Sequence, residues 1–410
     1  MTQRERASLA IVGAGAAGLM AAAWAGRARP GRGVVVLDGA RTLGAKILVS
    51  GGGRYNVTHD VVDEGSFAGS SRPAIRKVLR RFDVARTIAF FGELGVSFKR
   101  EETGKLFPVT DSARTVLDAL LRATHAAGVR IRHPCRVETV QRERGGFVVA
   151  GAWGEMECER LVLAAGGRSL PKSGSDGSGH ALARSMGHSL TPLIAPALVP
   201  LIVAQRCFVR ELAGITLPAT LEVRSGTGRR LATITGSTLC THFGLSGPAV
   251  LDVSRHWLHA AHGDRDATLV VAWLPGETLE SVDAALLALG RASAGRWLAQ
   301  RLPDRLARAL CNEAGVDASA PAATLPRERR RSLARAVAET VLPIVGDRGW
   351  AHAETTAGGV PLSEVRPETM ESRCCPGLFL AGEMLDVDGR IGGYSFQWAW
   401  SSGHVAGVSA

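Results

Sequence analysis

The chain is 410 residues long, 46% hydrophobic and 21% charged, with a formal net charge of +11, which supplies a core for two or three domains and excludes a chain dominated by disorder. Only Lys46, Lys77, Lys99, Lys105 and Lys172 among the 49 basic residues are lysine, so the positive balance reads either as a compositional bias toward arginine or as attraction to an anionic partner such as RNA or a phosphorylated substrate. The seven cysteines are odd in number, scattered and without a C-x-x-C pair, which argues against a disulfide framework, a metal site or a dithiol redox centre and fits a reducing, cytoplasmic setting.

At the N-terminus, Arg4 and Arg6 precede an uncharged run, Leu9 to Gly26, with the outline of a signal peptide or membrane span. Its many glycines and alanines make it too weakly hydrophobic for either, and no other segment is apolar enough to span a bilayer. Residues 8–12 read as a buried strand, 16–28 as a helix of small residues and 33–37 as a second buried strand, together a β-α-β unit. A helical stretch is expected over 73–95, a hairpin over 95–109, and then a helix capped by Asp111 with Val116, Leu117, Leu120 and Leu121 facing inward. Strands are expected at 129–132, 136–140, 147–149 and 161–165. Beyond about 190, Pro192, Pro196, Pro200 and Pro218 punctuate short β-like runs, as in a small barrel or sandwich. Residues 277–340 have helical periodicity with breaks at Pro303, Pro321 and Pro326, before a strand at 377–381 and a closing helix from about 395. The organisation expected is a dinucleotide domain in two parts, 1–190 and 357–410. A β insertion (191–260 and about 341–356) and a helical insertion (261–340) lie between them. Basic clusters at Arg72, Arg76, Lys77, Arg80, Arg81 and Arg86, and at Arg327, Arg329, Arg330, Arg331 and Arg335, are either solvated helix faces or a docking surface for an anionic partner.

The first strand and helix flank Gly13-Ala14-Gly15-Ala16-Ala17-Gly18, a G-x-G-x-x-G sequence. Gly13 permits the tight turn, Gly15 lets backbone approach a pyrophosphate, and Gly18 lets helix and strand pack closely. The helix N-terminus offers free amides and partial positive charge, and Asp38, ending the second strand, is placed to accept from a ribose hydroxyl. At the far end, Leu378 to Glu383 is a buried strand ending in Gly382-Glu383, with Asp386 beyond; an acidic group there can bond a ribityl hydroxyl, which FAD has and NAD lacks. Gly392-Gly393-Tyr394-Ser395 then leads into a helix whose N-terminus could stabilise negative charge on a reduced flavin. The glycine loop Lys46 to Thr58 suits either a phosphate or a flavin edge, or is a surface turn. These features favour FAD. No second fingerprint for NAD(P)H occurs, so NAD(P)H as electron donor is an assumption. His242 and Tyr394 are the candidate catalytic proton donors.

The glycine loop, Thr103 to Val109, Thr241 to Pro248, Thr355 to Val360, Gly377 to Gly389 and Gly392 to Tyr394 follow a recognisable order. Over nearly its whole length the chain resembles the BaiN/RdsA-type (HI0933-like) family of bacterial FAD-dependent oxidoreductases. The resemblance implies an α/β fold: a glutathione-reductase-like, Rossmann-type FAD domain with inserted β-barrel-like and helical domains. It also implies that Gly13, Gly15, Ala17 and Gly18 meet the pyrophosphate, Asp38 the adenosine ribose and Val137 the adenine. Lys46, Gly51, Gly52, Gly53, Arg54, Asn56 and Val57 would line the flavin side, Ala165, Gly166 and Gly167 the turn beneath the cofactor, and Gly382, Glu383, Asp386, Gly393 and Tyr394 would close the site. Tyr55 stands where the family pattern has cysteine, and Ser395 where it has asparagine. The activity implied is hydride transfer from NAD(P)H through flavin to an electron-poor C=C bond, in a small molecule such as an unsaturated steroid or in a uridine of ribosomal RNA. The alternative is a flavin-bound redox sensor or scaffold without turnover. The acceptor and the oligomeric state are not legible.

Overall fold

Runs such as Val34-Val35-Val36-Leu37 and Leu161-Val162-Leu163, apolar at every position, can only be strands covered on both faces, the signature of a parallel sheet. The computed structural model, which describes residues 5–410, places them in one; Arg4 lies outside the described residues. We label the central elements β1 (Glu5–Val12), α1 (Ala16–Ala28), β2 (Val34–Leu37), β3 (Arg130–Arg132), β4 (Gly154–Leu163), β5 (Leu378–Leu380) and α2 (Tyr394–Ser409). The strands lie in the order β5-β4-β1-β2-β3 and every adjacent pair is parallel. A hairpin of Thr139–Glu143 and Gly146–Gly151 adds antiparallel to the first half of β4, and short antiparallel strands extend the sheet past β5. From β1 the chain moves to β2 and β3 on one side and returns to β4 on the other. The carboxyl end of β1 is therefore the crevice where doubly wound sheets bind ligands.

The two central helices pack with their backbones almost touching. A Cβ on Gly403 would lie 2.4 Å from the Ala17 carbonyl oxygen, and one on Gly407 2.3 Å from that of Ala21. Glycines one turn apart on α2 thus form a groove that receives the small side chains of α1.

Two local expectations are corrected. The stretch 73–95 is two helices, Arg72–Arg81 and Val84–Glu93, because the Asp83 side chain accepts from the Arg86 amide and caps a second start. Asp111 does not cap the next helix. Ser112 occupies the cap position, while Asp111 adopts a left-handed φ of 49° and pairs with Lys99.

Met1–Pro196 with Ala353–Ala410 form one compact unit and Ala197–His352 another. The second holds a seven-stranded antiparallel sheet running from Thr340–Leu342 at one edge to Ile344–Asp347 at the other. Only Pro343 separates these edge strands in sequence, so the sheet curls until its edges meet, as in a barrel. The helix Pro248–Gly263 covers its long central strands. Leu279–Ala288, Ala294–Ala299, Asp304–Glu313 and Arg327–Ala338 share its core, in which Trp273, Leu310 and Val337 are fully buried. Pro303 and Pro326 cap the last two of these helices. Among the described residues no helix is long and apolar enough to cross a membrane.

Candidate functional site

The fingerprint turn sits at the carboxyl end of β1. Gly13 has φ +104°, and a Cβ there would come within 2.4 Å of the Ala164 carbonyl oxygen at the end of β4. A Cβ on Gly18 would lie 1.8 Å from the Gly13 oxygen, so helix and turn are locked backbone to backbone. At Gly15 the same position faces open space. The first amides of α1, including that of Ala17, have no partner within the helix, and this open face is where a phosphate can reach them. Asp38 braces the turn: its Oδ2 accepts from the Ala14 amide at 2.5 Å and its Oδ1 from the Ala40 amide at 2.7 Å. Each oxygen keeps a second lone pair for ribose hydroxyls. The Cys135 amide donates to the Asp38 carbonyl at 2.6 Å, which brings the buried Val137 to the same end of the site.

Glu383 is the hub of the other half. It pairs with Lys46, and its Oε1 accepts from the hydroxyls of Ser169 (2.7 Å) and Thr356 (2.8 Å). Lys46 also donates to Ser169, and Thr356 Oγ1 accepts from the Arg168 and Ser169 amides. The turn Ala165-Gly166-Gly167 runs over this cluster, and a Cβ on Gly167 would lie 2.8 Å from Glu383 Oε1. Gly382 is anchored by its amide to Ser402 and by its carbonyl to the Trp398 indole, both on α2. Asp386 is buried, its amide bonded to the Val360 carbonyl. Sequence reasoning missed Ser169 and quoted Thr356 only within a motif; their recruitment depends on contacts across most of the chain.

The glycine loop meets the start of α2. Gly51, Gly52 and Gly53 all have positive φ. Arg54 turns to Glu101 at 2.8 Å and stacks over Phe107, while Val57 is fully buried with its amide bonded to Leu106 and its carbonyl to the Trp400 indole. Tyr394, at the first turn of α2, is buried and stacked on His59 at 4.9 Å between ring centroids. Tyr55 is fully buried against Phe396, and burial pushes its phenol well above its ordinary pKa. The loop meets α2 so closely that a Cβ on Gly393 would lie 2.9 Å from Asn56 Oδ1. The open face at Gly15, the free helix amides, the acceptor capacity of Asp38 and buried polar atoms left without partners at Asn56, Ser175 and Ser395 fit a dinucleotide such as FAD.

His242 belongs to the second unit, on an exposed turn, where its carbonyl accepts from Arg210. In the first basic cluster Arg76 pairs with Glu64, Lys77 with Glu368, and Arg86 donates to the carbonyls of Arg80 and Arg81; in the second Arg330 pairs with Asp283. The adjacent Cys374 and Cys375 are held by Ser372, whose hydroxyl accepts both their amides. Ser372 also contacts His188, which is bonded to Glu364 through its other ring nitrogen at 2.8 Å.

Comparison with known proteins adds three findings. A family model described as the HI0933-like protein Rossmann domain matches residues 7–409. A 3-dehydro-bile acid delta(4,6)-reductase of Clostridium scindens is 35% identical over 98% of either chain, and a ribosomal RNA dihydrouridine synthase of Escherichia coli is 33% identical over 97% of this chain and 96% of its own. A quinol-fumarate reductase structure with menaquinol aligns with 99% of this chain and 71% of its own at a TM-score of 0.50 and 16% identity, a likeness of fold alone.

Proposed function

Because the chain belongs to the HI0933-like Rossmann-domain family of FAD-dependent oxidoreductases, we propose that it reduces an electron-poor C=C bond with hydride drawn from NAD(P)H. The observation that carries this reading is the pairing of a fingerprint turn with an open Gly15 face and a far-end acidic cluster around Glu383. Bound FAD supplies a ring that takes up hydride from a reductant and passes it to an acceptor. The α1 amides and Asp38 would hold the pyrophosphate and adenosine ribose, and Glu383, fixed by Lys46, Ser169 and Thr356, would accept from a ribityl hydroxyl. The N-terminus of α2 would lend its partial positive charge to a reduced flavin, and Tyr394, at its first turn, would be the candidate proton donor on this unit; His242, the other candidate, belongs to the second unit. One relative is named for reducing delta(4,6) bonds of a 3-dehydro-bile acid and another for making dihydrouridine in ribosomal RNA; an electron-poor C=C bond is common to both acceptors. The net charge of +11 favours an anionic acceptor such as RNA, and a cytoplasmic setting accords with it.

The test is anaerobic addition of NADPH to the purified protein, followed by visible absorption. Rapid bleaching of the flavin band is expected, and a band that persists would overturn NADPH as donor. The RNA version predicts binding that weakens steeply from 50 to 200 mM salt; binding indifferent to salt would overturn it.

A further inference from the structure

The helix Ser178–Ser185 ends in a turn at Gly187, whose φ of +93° bends the chain back so that the His188 amide donates to the Ala183 carbonyl. The His188 side chain is fully buried. It meets two segments from beyond the second unit, the short helical turn Leu362–Glu364 and the residues just after the strand Glu371–Ser372. His188 Nδ1 lies 2.8 Å from Glu364 Oε2, and Cys374 Sγ lies 3.9 Å from the same oxygen. The three groups offer ligand atoms that all lie within 4.8 Å of one another. Each is held from behind. Ser372 contacts His188 Nε2 at 2.8 Å and accepts the Cys374 amide at 3.0 Å. The Ser189 hydroxyl donates to Glu364 Oε1, and its amide reaches both carboxylate oxygens.

An imidazole nitrogen, a carboxylate oxygen and a sulfur converging on one point are the donor set of a borderline divalent metal. Bonds of about 2.0–2.3 Å to a tetrahedral zinc ion place its ligand atoms about 3.2–3.8 Å apart. The spacings here bracket that range, so small side-chain rotations seat the ion. The charges agree, since a carboxylate and a thiolate together balance a dication and repel each other without one. The outer contacts also match those that orient metal ligands, one on the far imidazole nitrogen and others on the carboxylate. We propose that His188 Nδ1, Glu364 Oε2 and Cys374 Sγ bind a zinc ion, with water completing the tetrahedron beside the exposed Cys374. Binding releases the thiol proton. The ligands lie on both sides of the second unit in sequence, so no local spacing marks them and the ion fastens together the two stretches that this unit separates. Flavin plays no part in the site.

The test takes the full, tag-free chain, freed of metal by chelation, and titrates it with zinc by calorimetry. A single zinc site per chain is expected, with no heat from magnesium, which demands octahedral oxygen ligands. Cobalt in place of zinc should give a thiolate-to-metal charge-transfer band, read as a difference spectrum against any flavin. Cys374→Ala, at an exposed position, should weaken zinc by at least about 100-fold and remove the cobalt band. Glu364→Gln should weaken zinc by about as much. Ser189→Ala frees the carboxylate from behind; it should weaken zinc about tenfold and keep the cobalt band. Zinc at about a hundredfold excess over its Kd should raise the wild-type melting temperature by about 5 °C and leave that of Cys374→Ala in place. A wild-type chain that takes up no zinc overturns the proposal however the variants fold. So does a zinc affinity in Cys374→Ala or Glu364→Gln within about threefold of wild type, or a cobalt spectrum without the thiolate band.

Discussion

The fingerprint turn and the junction of the glycine loop with α2 lie in one compact unit but are built on opposite plans. At the turn, backbone meets backbone: glycine positions 13 and 18 would place a Cβ within 2.4 and 1.8 Å of carbonyl oxygens, and both Asp38 oxygens already accept amides. At the junction, side chains are buried with polar atoms unspent and Tyr55 is held at positive φ. The difference teaches that the end suited to phosphate, a group common to all dinucleotides, is shaped by sterics that tolerate almost no change. The junction is shaped by hydrogen-bonding character, which single side chains can alter.

The largest effect is expected from breaking the close-packed end. Gly18→Ala drives a methyl group into the Gly13 carbonyl and should cost about 3–5 kcal/mol, with loss of FAD, as seen in thermal unfolding and flavin content; an unchanged melting temperature would break the contrast. Next is the packing behind α1, where His404 lies between Trp24 and Phe82. Burial, then Arg81 and Arg86, push its pKa down to about 4. The unfolded chain therefore binds the proton more readily, so stability present above pH 6.5 is lost as the pH falls toward 4. With solvent screening the loss is about 2 kcal/mol. His404→Leu should flatten that part of a urea-denaturation pH profile.

Smaller still is Lys46→Met, which leaves Glu383 to Ser169 and Thr356. The pair's side chains are 20% and 16% exposed, so the cost should be about 1–2 kcal/mol by chemical denaturation, less than for a fully buried pair; Glu383→Gln in the same chain should recover part of it. Smallest is Tyr55→Phe in flavin-free protein, expected within about 0.5 kcal/mol of wild type or slightly more stable, because it deletes an unpartnered buried hydroxyl. A loss above about 1 kcal/mol would instead show that the hydroxyl is satisfied in the native protein and break this side of the comparison.

What was legible follows the same division. The helix at 16–28 and the fingerprint were readable because their constraints are local, a matter of glycine sterics and small-residue runs. The barrel-like sheet was signalled by proline-punctuated β runs, yet its closure emerges only from the pairing of strands at its two edges. Asp111 misled because Ser112 stood one residue on and Lys99, on a neighbouring strand, offered a competing partner. The break at Asp83 was hidden by an apolar spacing that stays in phase across it. Ser169 could not have been read: it is recruited by Lys46 and Glu383, far from it in sequence, and no local pattern marks a hydroxyl for such a role.

The groove of Gly403 and Gly407 has a consequence in time. The helix that bears the fingerprint precedes the whole second unit in the chain, and the helix whose backbone it must touch follows that unit and is synthesised later. Until then the face of α1 that meets Gly403 and Gly407 is uncovered. A product that stops before α2, however well its first strands fold, should therefore emerge colourless.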